Sequence, residues 1–554
     1  MNSNLLNDIL NFKHKKLLIW TLTITAFLTY GYFITHSTIG VDDTAIERYF
    51  IEGWAPYVGR WTLFLLNILL GFAHYTPYFM DALGVILLCL AAYLFCILWD
   101  RISNHTVHPL SLVAFSTVFI TCPLIGEVYV YYLHNGISFS FVLMAFIGLC
   151  WWNYLSAPTW KQLIPMTLFL SLAIGCYESF ALVYLVLICG IYIYSVTMGT
   201  LKTRKINACL KDLAFAVLPL IGSIGIRTIM YSAINMVLGL DSGARGISAI
   251  SLWFVNNPII LLKDLIYKFL MRYVLNAEYI FGVRIFLILT FCFIVTIAVT
   301  AIAKKKWILI PLGLIMIVIP WLLIPVELVV TPYRACQALM LFLAFACFCL
   351  FEMLLRISNS KVSKPLRYIL ILLLAITVFR QSFELHHYFY FDYLRSEYDR
   401  NYCRELAQEL ISEHDITKPV IFIGQREYPK ALRANVYLPA DSEEYAHFVQ
   451  QFNLHYTKAL YNYTDDYGYK IYDIATMDTL DWLSWADFGD SDYEIYRYME
   501  MLGYHFQQPS YEARQNAIQE TMTREDYPVW PQKSSIVETD EYIYVYLGPL
   551  RIIL

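Results

Sequence analysis

Two adjacent carboxylates, Asp42 and Asp43, stand a few residues beyond an apolar run from Leu17 to Thr35. That run is long enough to cross a bilayer. Lys13, Lys15 and Lys16 precede it and favour a cytoplasmic start. The pair is therefore expected at the outer membrane surface, where two like charges repel and lose hydration unless they are well solvated or put to use. A carboxylate in that place can take the proton of a hydroxyl nucleophile. Two together can instead hold Mg²⁺ or Mn²⁺ against a phosphate, since hard cations take oxygen ligands. A third use is local, as an N-cap for a helix starting near Thr44. A cap and a base can be neighbours, so these readings stay open, as does which of the two acids would be the base.

Cations suited to phosphate lie on the same side. Arg48 is six residues past Asp42, Arg60 sits between Gly59 and Trp61, and Arg334 follows Thr331-Pro332-Tyr333. The planar guanidinium fork matches phosphate geometry, with a snorkelling membrane anchor as the plainer alternative. Arg227 falls inside an apolar run and needs a partner there, for function or to bridge helices. Glu127, Glu178 after Tyr177, and Glu327 are outer-face acids that suit sugar hydroxyls through charge-assisted hydrogen bonds. His134 reads as an interfacial polar residue.

The elements that must position these groups are mostly membrane helices. The chain has 554 residues, 58% hydrophobic and 15% charged, which reads as a multi-pass membrane protein. A net charge of −4 gives no footprint for nucleic acid. The cysteines show no paired CxxC metal motif and no disulfide framework in the tail, and the first apolar run lacks the marks of a cleavable signal peptide.

Eleven spans are expected, at about 17–35, 79–98, 109–125, 137–155, 163–176, 180–196, 213–233, 285–303, 307–324, 335–354 and 368–383. With the N-terminus inside, Arg101, Lys161, the Lys202/Arg204/Lys205/Lys211 group, Lys304-Lys305-Lys306 and the Arg356–Arg367 group all become cytoplasmic. An odd count then puts the C-terminus outside.

Two outer loops exceed simple turns, 36–78 and 240–284. The first carries an apolar run from Trp61 to Phe72 that suits a half-embedded helix, and the second opens on a Gly-rich stretch, Gly239 to Gly246. Beyond that stretch an amphipathic helix is expected from Pro258, with Ile259, Leu262 and Ile266 on its apolar face. The division is a membrane domain over 1–385 and a small extracytoplasmic α/β domain over 386–554. In the latter, a helix near Tyr402–Ser412 and strands at Pro419–Gly424 and Tyr542–Leu547 are predicted. The tail is rich in Tyr, which suits either sugar stacking or a Tyr-rich core.

One long span, then Val41-Asp42-Asp43, Arg48 and Gly59-Arg60-Trp61, with Tyr177-Glu178 further on, resembles the bacterial serotype-converting glucosyltransferases of O-antigen modification. The resemblance covers roughly the first two hundred residues. It implies a fold of the GT-C type and an essential acid in the first outer loop, here Asp42 or Asp43. It further implies a polyprenyl-phosphate-linked sugar donor in the bilayer, a cell-surface glycan acceptor and a place in the bacterial plasma membrane. A lipid-linked-sugar flippase or transporter shares the bulk composition, but no internal symmetry or broken midplane helices stand out.

Overall fold

A computed structural model describes residues 9, 11–39, 55, 59–71, 74, 76–129, 134–200, 206–239, 258–270, 274, 285–323, 335–356, 360–424, 494–522 and 527–548. The chain divides into two compact units. One holds Met1–Thr35 with Arg48–Tyr388, the other His36–Glu47 with Phe389–Leu554.

The first unit is a bundle of apolar helices. They are α1 (Lys15–Thr35), α2 (Trp61–Leu70), α3 (Pro77–Ile102), α4 (Pro109–Ile120), α5 (Gly126–Tyr129), α6 (His134–Ser156), α7 (Leu163–Cys176) and α8 (Phe180–Met198). After these come α9 (Ile206–Leu238), α10 (Pro258–Phe269), α11 (Ile285–Lys304), α12 (Leu309–Val318), α13 (Gln337–Leu355) and α14 (Ser360–Glu413).

Nine helical stretches among the described residues are long and apolar enough to cross a membrane. The chain is a multi-pass, mainly α membrane protein. Two of the eleven expected spans are shorter than a full crossing. The Trp160–Cys176 helix begins with a 3-10 turn. The Leu309–Trp321 helix tightens into another at Ile319–Trp321, where Pro320 carries no amide proton for the α-helical ladder. The run from Trp61 is also a short helix, stopped by Gly71 in the left-handed conformation. At 33 residues α9 is about 50 Å long, longer than the hydrocarbon core, and it contains Pro219.

Close approach of helices explains the packing. Gly148 lets α6 lie against Leu98 of α3 and Leu187 of α8. Trp99 stacks on Phe348 at 5.7 Å and meets Phe115 and Tyr194 edge-on, tying α3, α4, α8 and α13. Two of the buried carboxylates, Asp100 and Glu352, show how such charges are paired. Asp100 lies 2.7 Å from His105 Nδ1, and Glu352 accepts from Arg356 Nε at 2.8 Å and from the His108 amide at 3.2 Å. On α10 Ile259, Leu262 and Ile266 of the expected apolar face are exposed, as on a helix lying on lipid, while Phe269 of the same face meets Trp321 edge-on at 4.9 Å.

The second unit takes the end of α14 and three short strands, β1 (Val420–Ile423), β2 (Ile536–Glu538) and β3 (Ile543–Tyr546), with α15 (Glu494–Met501) and α16 (Tyr511–Met522). The strand order is β1-β3-β2, with β1 parallel to β3 and β2 antiparallel to it. Tyr402, Leu406 and Leu410 form one face of α14 at i, i+4 spacing and pack on Val420, Phe422, Tyr496, Tyr498, Trp530 and Val545. Tyr402, Tyr496 and Tyr498 are core residues, whereas Tyr511 is exposed. Gly424 ends β1 at a φ of +79°, and a Cβ there would overlap the Gly548 carbonyl.

Candidate functional site

The site forms where α2, the α7–α8 turn, α9 and α13 meet. The turn consists of Tyr177-Glu178-Ser179, between the last residue of α7 and the first of α8. Ser179 Oγ donates to Gln337 Oε1 at 2.5 Å, tying the turn to the start of α13. Glu178 accepts from Arg227 Nη2 at 2.8 Å, which supplies the partner that an arginine within an apolar helix needs. The Arg60 guanidinium lies 4.7 Å from the Tyr177 ring centre, within cation–π range. Two guanidiniums and one carboxylate thus gather at one turn.

Glycines make the approach possible. Gly59 has a φ of +87°, and a Cβ on it would overlap the Arg227 guanidinium and lie 3.5 Å from Glu178 Oε1. Gly175, the penultimate residue of α7, leaves room for Trp61 and Thr62, and its Cβ would stand 2.6 Å from Trp61 Nε1. The Gly59-Arg60-Trp61 motif therefore works against the Gly175-to-Glu178 segment residue by residue.

A seam of buried polar atoms runs on from this turn. Trp61 Nε1, Thr62 Oγ1, Arg227 Nε and both amide ends of Asn135 are buried with no hydrogen-bond partner among the described residues. Leu63 packs under Gly136, which also faces Cys176, so the starts of α2 and α6 and the end of α7 adjoin. Each buried donor or acceptor left unmade costs about 1–3 kcal/mol, and such groups persist where a ligand or function repays them.

Beside Asn135, His134 lies under Gly84, with Nε2 3.2 Å from the Met80 carbonyl and 3.7 Å from Asp81 Oδ1. Tyr129 stacks on the His134 ring at 4.7 Å, and its hydroxyl donates to the Gly84 carbonyl or bonds Ser138 Oγ. His134 is thus a core residue rather than an interfacial one.

Of the residues expected to form a site, Arg60, Tyr177 and Glu178 come together. Glu178 holds a guanidinium, where a sugar hydroxyl was the expectation. Glu127 lies half-buried at the start of α5. Asp42, Asp43, Arg48, Glu327 and Arg334 lie outside the described residues, as does most of the stretch from Gly239 to Gly246. Among the described residues no group of three or more His, Cys, Asp or Glu is placed to hold a metal ion. Four further contributors were not singled out from sequence for a site: Trp61, Thr62, Asn135 and Asp81. Their polar groups carry no distinctive spacing, and only contact between non-neighbouring helices brings them forward. Arg227 did carry a signal, its charge within an apolar run.

A family model described as glucosyl transferase GtrII matches residues 31–351. No curated protein and no solved structure matches the chain. The matched region extends beyond the first two hundred residues and includes Gln337, Arg227 and every other member of the cluster.

Proposed function

The chain belongs to the glucosyl transferase GtrII family, and on that premise we propose that it moves glucose from a polyprenyl-phosphate carrier to a cell-surface glycan at the outer face of the bacterial plasma membrane. The observation that carries this reading is the pairing of two guanidiniums, Arg60 and Arg227, with a run of buried, unpartnered polar side chains inside an apolar bundle. A glycosyl phosphate has the complementary chemistry: an anionic phosphodiester for the guanidiniums and hydroxyls for Trp61, Thr62 and Asn135.

In this reading an acceptor hydroxyl loses its proton to Asp42 or Asp43, and its oxygen attacks the anomeric carbon. The bond from that carbon to the phosphate oxygen breaks, polyprenyl phosphate departs with the electron pair, and a single displacement inverts the anomeric centre. The guanidiniums stabilise the charge growing on the phosphate. Glu178 holds Arg227 in place for that work, and Arg48 and Arg334 are further phosphate ligands. Glu127 and Tyr177 bind sugar or frame its site. Mg²⁺ or Mn²⁺ on the Asp pair is the alternative use of those carboxylates.

The test is transfer of label from polyprenyl-phosphate glucose to surface glycan, in membranes with matched amounts of wild type, Asp42→Asn, Asp43→Asn and Arg60→Gln. Loss of transfer in one Asp variant and a weakened donor dependence in Arg60→Gln are expected. Full transfer by both Asp variants would sink the acid assignment.

A further inference from the structure

Helix α9 carries a polar row on the side it turns towards the protein. Ser223, Arg227, Tyr231 and Asn235 recur every fourth residue and so follow one another along one side of the helix. Ser223 and Asn235 are buried, and Arg227 and Tyr231 are half-buried. Around the row Ile221, Ile224, Ile229, Met236 and Val237 are exposed, as lipid-facing side chains are. A polar row inside a membrane bundle marks a binding path or a helix contact.

Ser223 Oγ donates to the Leu220 carbonyl at 2.8 Å, within its own helix, and Arg227 holds Glu178. Asn235 has no such contact. It is 3% exposed, and neither end of its amide has a hydrogen-bond partner among the described residues. A side-chain amide offers an acceptor and two donors, and burying them unmade is costly unless a ligand takes them.

The place of Asn235 along the helix selects the ligand. Gly222 meets Thr167 of α7, and Arg227 meets Glu178 just past the last residue of α7, so the two helices run the same way. Asn235 is eight residues past Arg227, about 12 Å farther along the axis and beyond the end of α7. Trp61 Nε1 and Thr62 Oγ1, also unpartnered, lie against Gly175, before that end. A glucosyl phosphate with its phosphate at Arg227 and its hydroxyls at Trp61 and Thr62 extends away from Asn235. The second sugar in the reaction comes from the other side, because Lys211 at the start of α9 makes the end at Leu238 the outer one.

We propose that Asn235 recognises the acceptor. Its amide takes two neighbouring hydroxyls of the sugar residue that receives glucose, accepting from one at Oδ1 and donating to the other from Nδ2. This rests on the reading of Arg60 and Arg227 as ligands of the donor phosphate. A vicinal diol fits because each hydroxyl both donates and accepts, and the amide presents its two kinds of atom side by side. An acceptor lacking one of the two hydroxyls leaves the amide unpaired and binds less.

The experiment uses the whole chain at matched levels, in membranes and solubilised, with Asn235→Leu, Asn235→Gln and Ser223→Ala. The acceptor probe is surface polysaccharide extracted from cells lacking this protein, and the donor is polyprenyl-phosphate glucose. Polysaccharide binding is measured directly without donor, and the two KM values are titrated separately. Asn235→Leu should weaken binding and raise acceptor KM about tenfold, with donor KM near wild type. Its Tm should be unchanged or higher, since buried polar atoms without a partner give way to methyl groups. Asn235→Gln, which moves the amide by one methylene, should lose less of both, and Ser223→Ala should match wild type.

Unchanged binding and acceptor KM in Asn235→Leu would overturn the proposal. A Tm many degrees lower would also overturn it, by showing that the amide serves the fold. A raised donor KM with acceptor KM unchanged would assign Asn235 to the donor instead. If wild type binds the polysaccharide, and Asn235→Leu binds it less, while wild type transfers nothing from polyprenyl-phosphate glucose, the donor reading fails and the acceptor site stands. No binding by wild type would remove the site.

Discussion

At the scale of residues, the candidate site brings a glycine and an ion pair together in one place. Gly59 has to be glycine for two separable reasons, its φ of +87° and the Arg227 guanidinium against it. Gly71 shares the first reason, with a φ of +71°, but nothing lies within reach of a Cβ there. A left-handed conformation costs a residue with a side chain about 1–2 kcal/mol in either position. Gly59→Ala and Gly71→Ala should therefore destabilise the protein similarly, while only Gly59→Ala also displaces Arg227. Glucosyl transfer should fall about tenfold or more in Gly59→Ala and stay near wild type in Gly71→Ala. Equal loss in both would mean that backbone strain, not the position of Arg227, decides activity.

At the scale of elements, α14 shows how polar residues dock a long helix. It has 54 residues, about 81 Å. Along it Gln381 and Glu384 are buried, Ser382 bonds Thr29 at 2.8 Å and Arg380 pairs with Glu384 at 2.5 Å. Gln381 Oε1 accepts from Thr121 Oγ1 at 2.8 Å, but its Nε2 is buried with no partner among the described residues. Thr121 also has the Thr117 carbonyl at 2.8 Å, so its hydroxyl keeps an acceptor if Gln381 is lost. Gln381→Leu should leave the Tm of the solubilised protein unchanged or raise it. A fall of many degrees would show that the Gln381 amide contributes more than its one contact.

The strand β2 is fastened by a different device. Glu538 accepts from Lys418 Nζ at 2.6 Å and lies 3.0 Å from His414 Nδ1. These two partners, Lys418 first, hold its carboxyl down at about 2. A depressed folded value means that the pair's contribution is fully present above the unfolded value of about 4.3. It is lost as pH falls through about 2. Glu538→Gln should lower the melting temperature modestly at neutral pH, because the group is solvent-exposed and screened. The gap to wild type should close as the pH is lowered from about 4 towards 2. A gap independent of pH would assign the effect to lost hydrogen-bond geometry instead of charge.

At the scale of the whole molecule, a bundle matched by one family is joined in sequence to an α/β unit of which all but His36–Glu47 lies beyond the matched region. The basic groups Arg101, Lys161, Lys304-Lys305-Lys306 and Arg356 sit at or beside helix ends on what the positive-inside rule makes the cytoplasmic side. If all eleven expected spans cross, the same rule would put α14's C-terminal end, and the unit that follows it, outside. A membrane-impermeant amine reagent on intact spheroplasts should label Lys418 and spare Lys304-Lys305-Lys306 until the membrane is opened. The reverse pattern would invert the topology and move the proposed chemistry to the wrong face for a surface glycan.

What the sequence by itself determined follows from short-range physics. Apolar runs of bilayer length specify spanning helices whatever they pack against, so the multi-pass class and nearly all the spans were legible. The strands at Val420–Ile423 and Ile543–Tyr546 were legible because β-branched and aromatic residues end at turn-forming neighbours. The need of Arg227 for a partner could also be read, because lipid does not tolerate an idle charge.

The pairing itself was decided by tertiary structure. Glu178 and Arg227 are 49 positions apart, on a turn and on a separate helix, and no periodicity connects them. The same holds for the glycine contacts that seat Trp61 and Thr62 against Gly175. Each depends on which helix faces come to lie together, and that is settled by the packing of the whole unit and not by any one segment of it.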